Sequence, residues 1–189
     1  MNTPAHALLN LLALGNRERE AAVAPIIVGS ILPDAPMFVF YAWQKLLGVP
    51  EQLIWREKYY DPSWQGFFDV FNSLPLIILL GIVARVLGWR WIMWLAAAMA
   101  LHVLFDLPLH HDDAHRHFFP FSDWRFESPV SYWDPAHYGR ISAIAEVAMS
   151  GFATAWLWHR YSGKAARLAV CALAAAYVAH WIFVFTVWV

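Results

Sequence analysis

The sequence predicts an all-α membrane protein, a bundle of about five spanning helices preceded by a short N-terminal half-helix. Of its 189 residues, 60% are hydrophobic and 14% are charged, whereas soluble domains average about 25% charged residues. The apolar residues also form blocks of about 20, the length with which a helix crosses a bilayer. The net charge of −1 indicates no nucleic-acid partner, and the single cysteine, Cys171, rules out an internal disulfide.

The helices are expected in the following order. Residues 3–14 form the half-helix, with Asn2 or Thr3 as its N-cap. Pro33 and Pro36 lie inside the first spanning block, so we expect a kink or a break there. The spanning blocks are residues 21–47, 66–88, 90–109, 140–158 and 167–189.

Two long polar and aromatic connections remain, residues 48–65 and 110–139. Neither an internal repeat nor a low-complexity linker interrupts the chain, so we expect a single membrane domain over residues 1–189. The apolar run from Pro4 to Leu14 is too short to span and follows no basic stretch, which predicts no cleavable signal peptide.

Basic residues predict the orientation of the bundle, because cytoplasmic loops carry an excess of Lys and Arg. Short connections on one predicted face, which we expect to be cytoplasmic, hold Arg17, Arg19, Arg85, Arg90, Arg160, Lys164 and Arg167. The two long connections carry basic residues more sparsely. We therefore expect both long connections to face the periplasm or the cell exterior.

Polar residues recur at one depth of the predicted bundle. With a helix rise of about 1.5 Å per residue, each apolar segment places a polar side chain roughly 15–20 Å from its cytoplasmic end. Polar groups inside a bilayer are costly and usually face the bundle interior, where they pair or serve function. A shared layer therefore predicts a joint site. Its members are His6, Asp34, Asn72, His102, Glu146 and His180.

His102 and Asp106 form the centre of this predicted site. Their spacing of four residues places both on one helix face, within reach of one metal ion. Asp34, in the broken segment GSILPD, is expected to bridge or complete the site. His and Asp ligands without Cys or Met favour zinc, manganese or iron over copper. A structural His–Asp hydrogen bond is the alternative explanation of the pair.

Glu146 is predicted to be a further ligand, or the general base that deprotonates a metal-bound water. His6 and His180 are weaker candidates for ligands or for hydrogen-bonding partners of the ligands. Alternatively, His180 and Asn72 only form hydrogen bonds between helices.

The segment HHDDAHRH, residues 110–117, follows Asp106 closely. A solvated loop at the membrane surface explains it without any function, although histidine-rich tracts also bind metal adventitiously. Its position makes one of His110, His111 and Asp112 a candidate outer ligand. The aromatic residues that follow are expected to form an interfacial belt, and some of them a lid that contacts a lipid-like substrate.

Three stretches, MNTPAHALLN, VGSILPDAP and HVLFD, resemble the bacterial inner-membrane-associated metal-dependent hydrolases of the LexA-binding membrane protein type. The order His, Asp, HxxxD is also distantly similar to the zinc-dependent phospholipase C family. The resemblance is best over residues 1–40 and 100–112. It implies hydrolysis of a phosphoester or a related bond at a helical metal site, whose matched ligands are His6, Asp34, His102 and Asp106.

The chain departs from both families in part. APMF follows GSILPD where many members of the membrane family carry another Asp–His. Ser142 precedes Glu146 where the phospholipases have an HxxxE pair. We therefore expect a site with one or two metal ions rather than a complete trinuclear zinc site.

These observations predict a membrane-embedded metal-dependent hydrolase of the bacterial inner membrane that acts on a lipid or a lipid-linked phosphoester. Asp34 and Glu146 are the catalytic candidates. The candidate ligands of the divalent metal, with zinc favoured, are His6, Asp34, His102, Asp106, His110 and His111.

Two other functions compete with this one. The first is a non-catalytic subunit of a membrane complex, which binds haem or a pigment through histidines such as His102, His159 and His180. The second is a transporter, because a broken helix with a carboxylate at mid-bilayer depth also marks substrate sites. Five spans without an inverted repeat disfavour the transporter.

Overall fold

The computed structural model describes residues 1–187, so Trp188 and Val189 of the last predicted block lie outside the described residues. The described residues form helices and no β-strand, which confirms the all-α fold. Four helical segments are long and apolar enough to cross a membrane, or five if one bent pair forms a single span. The chain is therefore a helical membrane bundle.

The α-helices between residues 1 and 187 are joined by turns and short 3₁₀ segments. They are α1 (Thr3–Leu14), α2 (Val23–Ile31), α3 (Ala35–Leu46), α4 (Glu51–Arg56), α5 (Pro62–Asn72), α6 (Leu74–Val86), α7 (Arg90–Asp106), α8 (Gly139–Arg160) and α9 (Lys164–Val187).

Helix α1 lies at the centre of the bundle although it is only half the length of a span. Its bounds are the predicted ones. It packs against α2, α7, α8 and α9, and every residue from 5 to 11 is buried. Polar side chains on any face of α1 therefore meet protein rather than lipid.

The first spanning block is interrupted where its prolines predict. Helix α2 ends at Ile31, a 3₁₀ turn covers Leu32–Asp34, and α3 continues from Ala35. Proline lacks the amide hydrogen that a continuous helix needs, which accounts for the turn at this depth. Upstream of the turn, a Cβ on Gly29 would lie only 2.3 Å from the carbonyl oxygen of Leu95. Glycine thus permits the close packing of α2 on α7.

The second block, predicted as one helix over residues 66–88, consists of two helices. Helices α5 and α6 meet at Ser73 with a bend of 40°. Pro75 cannot donate the hydrogen bond that would continue α5, and the Ser73 hydroxyl accepts one from the amide of Leu76 at 3.3 Å. The chain therefore ends one helix and begins another at this point.

The connection between residues 48 and 65 is also largely helical, since it contains α4 and a 3₁₀ turn at Lys58–Tyr60. Together with α3 and α5 it buries an aromatic cluster around Phe40. The ring centroids of Trp64 and Phe68 lie 5.2 and 5.7 Å from that of Phe40. This cluster forms a small core at one end of the bundle, separate from the core around α1.

Helices α8 and α9 form an outer layer against α1. Ile144 and Leu168 each expose 71% of their surface, as apolar side chains that face lipid do. On the inner side of these helices, Ala153, Leu157 and Val170 are fully buried against the centre of the bundle. The two helices thus cover α1 on one side while α2 and α7 cover it on the other.

Candidate metal centre

Helices α1 and α7 bring together His6, His102 and Asp106. The Asp106 carboxylate contacts both imidazoles, with Oδ1 2.9 Å from His6 Nε2 and Oδ2 3.1 Å from His102 Nε2. One ligand atom from each residue lies within 4.8 Å of the other two, and all three residues are buried. His102 and Asp106 meet because they are one turn apart on α7, whereas His6 arrives from a helix 100 residues away.

Asp34 joins this group from the 3₁₀ turn between α2 and α3. Its Oδ1 lies 3.4 Å from His102 Nε2, and its Oδ2 accepts a hydrogen bond from the Thr3 hydroxyl at 2.5 Å. The Asp34 side chain is 17% exposed, whereas that of His102 is completely buried. Asp34 is therefore the member of the group that solvent reaches.

The hydrogen bond at Nδ1 of His102 determines which partner the other ring nitrogen, Nε2, requires. Nδ1 lies 2.7 Å from the carbonyl oxygen of Ser30, which can only accept, so Nδ1 carries the proton. Nε2 faces the carboxylates of Asp34 and Asp106. A bare lone pair would be repelled by both carboxylates. The arrangement therefore favours a positive charge at Nε2, which is either a second proton or a metal ion.

The two imidazoles of the group are stacked. The ring centroids of His6 and His102 lie 3.6 Å apart, with an angle of 14° between the ring planes. Two imidazoles that bind one tetrahedral zinc through bonds of about 2.0–2.1 Å have centroids about 5 Å apart. Binding of an ion by both rings thus requires them to tilt apart. The Met1 ammonium also contacts Asp106 Oδ1, at 2.6 Å.

Of the two loop histidines predicted as ligands, one lies beside the group and one does not. His110 Nε2 is 3.5 Å from Asp106 Oδ2. His111 instead directs Nδ1 at the carbonyl oxygen of Ser128, at 2.7 Å, and stacks on the His137 ring with centroids 3.8 Å apart. The contacts of His111 are therefore made within the loop, because the chain turns after His110.

Glu146 does not belong to the His6–His102–Asp106 group. Its carboxylate accepts hydrogen bonds from the backbone amide of Asn2, at 3.0 Å, and from the Asn2 side chain, at 2.6 Å. Glu146 thereby holds the start of α1, and Asn2 caps this helix without a side-chain hydrogen bond of its own to it. His180 is half-buried beside Trp181, outside the group. Asn72 donates to the carbonyl oxygen of Pro33 at 3.3 Å, the predicted interhelical hydrogen bond.

The explanation of residues 110–117 as a solvated loop is wrong for most of the segment, although Asp112 is exposed. His110, Asp113, His115 and His117 are all buried. The segment is held down by Asp69, a fully buried carboxylate of α5, which accepts from the backbone amide of Arg116 at 2.9 Å and from its Nε at 2.5 Å. Pairing with a carboxylate 47 residues away allows these charged side chains to be buried.

Two histidines of the loop have pKa values shifted in opposite directions. Burial disfavours the charged form of His110, but the carboxylates of Asp113 and Asp106 outweigh it and raise the pKa of His110 to about 9. Burial, together with His110 and His117, lowers the pKa of His115 to about 4. At neutral pH, His115 is thus unprotonated, as metal ligation requires, whereas a metal on His110 must displace a proton.

Sequence reasoning missed several polar residues around the group. Asn10 follows His6 by one turn of α1 and donates to the Ser30 hydroxyl at 2.8 Å and to the carbonyl oxygen of Ala98 at 2.9 Å. These bonds tie α1 to α2 and α7. The spacing of four residues between His6 and Asn10, in an otherwise apolar helix, is the signal that would have predicted this contact.

An apolar cavity of about 370 Å³ lies between the N-terminus, α8 and the loop. Leu109, Tyr132, Ile141 and Met149 line it, together with Met1 and Glu146. Met1 both lines the cavity and contacts Asp106 through its ammonium, at 2.6 Å.

The comparisons with known proteins add no relative. No protein family matches this chain, and neither a curated protein nor a solved structure matches it.

Proposed function

We propose that this protein is a membrane-embedded, metal-dependent hydrolase that acts on a lipid or a lipid-linked phosphoester. The convergence of His6, His102 and Asp106 carries the proposal, since one ligand atom from each lies within 4.8 Å of the others. The Nε2 atom of His102, which faces two carboxylates, supports a cation at this position. The resemblance of residues around His6, Asp34 and His102 to membrane metal-dependent hydrolases points the same way.

The ligand types favour zinc, with manganese or iron as the other fitting metals, because imidazole and carboxylate ligands suit all three. In this proposal His6, His102 and Asp106 would hold the ion, which leaves Asp34 free to act as the base. A bound ion of this kind would supply Lewis-acid chemistry, which lowers the pKa of a water towards 7 and polarises a phosphoryl oxygen.

Asp34 is better placed than Glu146 to act as the base. Its side chain is 17% exposed, whereas the Glu146 carboxylate is buried and accepts two hydrogen bonds from Asn2. Asp34 would take a proton from the attacking water as the new phosphorus–oxygen bond forms. It would return that proton to the leaving oxygen as the ester bond breaks. The Thr3 hydroxyl, 2.5 Å from Asp34, orients the carboxylate.

The apolar cavity beside Met1 supports a substrate with a hydrocarbon chain. Its side chains Leu109, Ile141 and Met149 would contact the chain, while the phosphoester lies at the His6–His102–Asp106 group. The exposed apolar surface of α8 next to the cavity gives a lipid access from the bilayer.

We further propose that the protein lies in the bacterial inner membrane, with the short basic connections in the cytoplasm and residues 48–65 and 110–139 outside. The proposal rests on the distribution of Lys and Arg and on the family resemblance. Cysteine-accessibility labelling tests it: with Cys171 replaced by Ser, single cysteines near Arg85 and near Trp124 should react with an impermeant reagent from opposite sides.

Metal analysis of the purified full-length protein tests the site directly. Protein prepared in detergent without chelator should contain stoichiometric zinc, manganese or iron by elemental analysis, and His102→Ala should lose it. His159→Ala serves as a matched control, because His159 is exposed on α8 and should leave the metal content unchanged. A wild-type protein without metal that also binds no added zinc would refute the proposed site.

Activity is tested with a chromogenic phosphodiester presented in phospholipid micelles. We expect turnover in the wild type, its loss after chelation, its recovery on addition of zinc, and a decrease of at least about 100-fold in Asp34→Asn. If metal binds but no phosphoester is cleaved and the protein shows visible absorbance from haem or pigment, the hydrolase proposal fails in favour of a cofactor-binding subunit.

A further inference from the structure

A groove of about 250 Å³ lies between α6 and α7 on the surface of the bundle. Ile78, one of the residues that line it, exposes 56% of its surface, and Ile82 on the same helix exposes 55%. Exposed apolar side chains on a membrane bundle contact lipid, because lipid tails are as apolar as they are. The groove therefore opens towards the hydrocarbon of the bilayer.

Small residues leave room for an elongated apolar ligand between the two helices. Ile77, Gly81 and Arg85 follow one another at intervals of four residues, so they lie along one face of α6 over about 12 Å. Ala97 of α7 lines the groove opposite them. A Cβ on Gly81 would lie 3.6 Å from the Cβ of Ala96, so a large side chain at position 81 would fill the space. The groove is thus elongated and largely apolar, which suits a hydrocarbon chain.

Arg85 places a positive charge at one end of the groove. It lies in the last turn of α6, and no Asp or Glu among the described residues pairs with its guanidinium. Residues 70–105 contain Arg85 and Arg90 but no acidic residue. The exposed side chains of Trp89 and Trp91 follow in the chain, and tryptophan concentrates at the depth of lipid headgroups. The charged end of the groove therefore lies near the headgroups, and its apolar length lies deeper in the bilayer.

A positive charge at the end of an apolar groove fits a phospholipid better than it fits another apolar helix. A helix in the groove would cover the Arg85 guanidinium and give it no partner, and a desolvated charge without a partner is costly. A lipid phosphate instead accepts hydrogen bonds from the guanidinium, while the acyl chain contacts the groove. Since residues 70–105 carry only basic charges, an anionic headgroup is favoured over a zwitterionic one.

We propose that the groove between α6 and α7 binds one anionic phospholipid, whose phosphate pairs with Arg85 and whose acyl chain lies against Gly81 and Ala97. The lipid is a partner that remains bound, not a substrate. None of the residues that line the groove belongs to the His6–His102–Asp106 group, so this binding site is independent of the proposed hydrolase.

Lipid binding to the full-length protein tests the site. Protein purified in detergent and washed free of lipid is titrated with phosphatidylglycerol, or with phosphatidylcholine of the same acyl chains, and bound lipid is counted by native mass spectrometry. We expect one phosphatidylglycerol per chain at low lipid concentration. Its affinity should exceed that of phosphatidylcholine about 5-fold or more, because the basic residue attracts the net negative headgroup.

Variants at the charged end and along the apolar length separate the two parts of the site. Arg85→Gln should lower the affinity for phosphatidylglycerol about 10–100-fold, because it removes charge-assisted hydrogen bonds to the phosphate. Arg140→Gln is the matched control, since Arg140 is also exposed but lies at the start of α8, outside the groove, and should leave the affinity unchanged. Ala97→Leu should fill the groove and weaken the binding of both lipids.

Several outcomes would overturn the proposal. Equal losses in Arg85→Gln and Arg140→Gln would mean that the lipid is attracted by unspecific charge. Equal affinities of the wild type for the two lipids, or an unchanged affinity in Arg85→Gln, would exclude a phosphate contact at Arg85. A dimer that Ala97→Leu dissociates would assign the groove to a second copy of the chain instead.

Thermal unfolding guards against misfolded variants. Without lipid, Arg85→Gln should have the Tm of the wild type, because the Arg85 side chain is exposed. Added phosphatidylglycerol should raise the Tm of the wild type but not that of Arg85→Gln, since a ligand that binds only the folded state stabilises it. A rise of the same size in both proteins would refute the role of Arg85.

Discussion

Arg116 contacts one buried and one exposed carboxylate, and this difference allows a sharp test of how the loop is held. Asp69→Ala removes two hydrogen bonds to Arg116, at 2.9 and 2.5 Å, from a carboxylate that is fully buried. Asp123→Ala removes one ion pair of 2.6 Å to the same guanidinium, but the Asp123 side chain is 89% exposed. The distances alone predict that the two variants destabilise the protein to a similar extent. The burial of the two carboxylates predicts that Asp69→Ala destabilises it far more than Asp123→Ala does.

The expected magnitudes follow from solvation. Hydrogen bonds to charged groups contribute about 1.5–3 kcal/mol each, and breaking a buried ion pair costs about 3–5 kcal/mol. Because Arg116 itself is partly exposed and can be hydrated, we expect Asp69→Ala to lower the free energy of unfolding by about 3 kcal/mol. An exposed pair contributes about 0–1 kcal/mol, which we expect for Asp123→Ala. For a chain of this size, these values correspond to a fall in Tm of about 6–12 °C against at most about 4 °C.

Thermal unfolding of the purified proteins in one detergent, followed by circular dichroism, measures both values. Trypsin cleavage after Arg125 should accelerate in Asp69→Ala, since the loop loses its anchor on α5, and should be nearly unchanged in Asp123→Ala. Equal shifts of Tm in the two variants would refute the argument that burial of Asp69, rather than the presence of an ion pair, holds the loop.

Two further predictions concern the packing of the bundle and use the same unfolding assay. Gly29→Ala should destabilise the protein by about 1–3 kcal/mol, because the added Cβ would lie 2.3 Å from the Leu95 carbonyl oxygen. Gly151→Ala, with no atom within 4 Å of its added Cβ, should be neutral or slightly stabilising. Equal effects of the two variants on stability would contradict the close packing of α2 on α7. Phe40→Ala should lower the free energy of unfolding by about 3–5 kcal/mol, since Phe40 is fully buried among aromatic rings. Phe121→Ala, at a side chain that is 79% exposed, should lower it little. An unchanged stability of Phe40→Ala would mean that the aromatic cluster does not form.

Local sequence predicted those features that depend only on neighbouring residues. The excess of apolar residues in long blocks determines a helical membrane bundle, because a bilayer leaves the backbone no other partners than its own. The start of α1 and the break before Asp34 follow from proline and capping chemistry within one turn. The shared helix face of His102 and Asp106 follows from a spacing of four residues.

The candidate site itself was predictable in part. Similar depth in the bilayer was sufficient to group His6, Asp34 and His102, because helix rise converts sequence position into height. The height of a residue in the bilayer does not determine towards which neighbouring helix its side chain is directed. For that reason Glu146, predicted in the same layer, binds Asn2 instead. His111, predicted as a ligand from its position in the loop, stacks on His137 because the chain turns after His110.

Only the tertiary structure determined that most of the loop of residues 110–117 is buried. HHDDAHRH has the composition of a solvated segment, and it is buried because Asp69 of α5 pairs with Arg116. Whether a charge is buried depends on a partner distant in the sequence, and pairing at such a distance leaves no periodic pattern to detect. The sequence by itself determined that the chain is a membrane helix bundle with a polar centre; the packing of its helices determined which polar groups meet there.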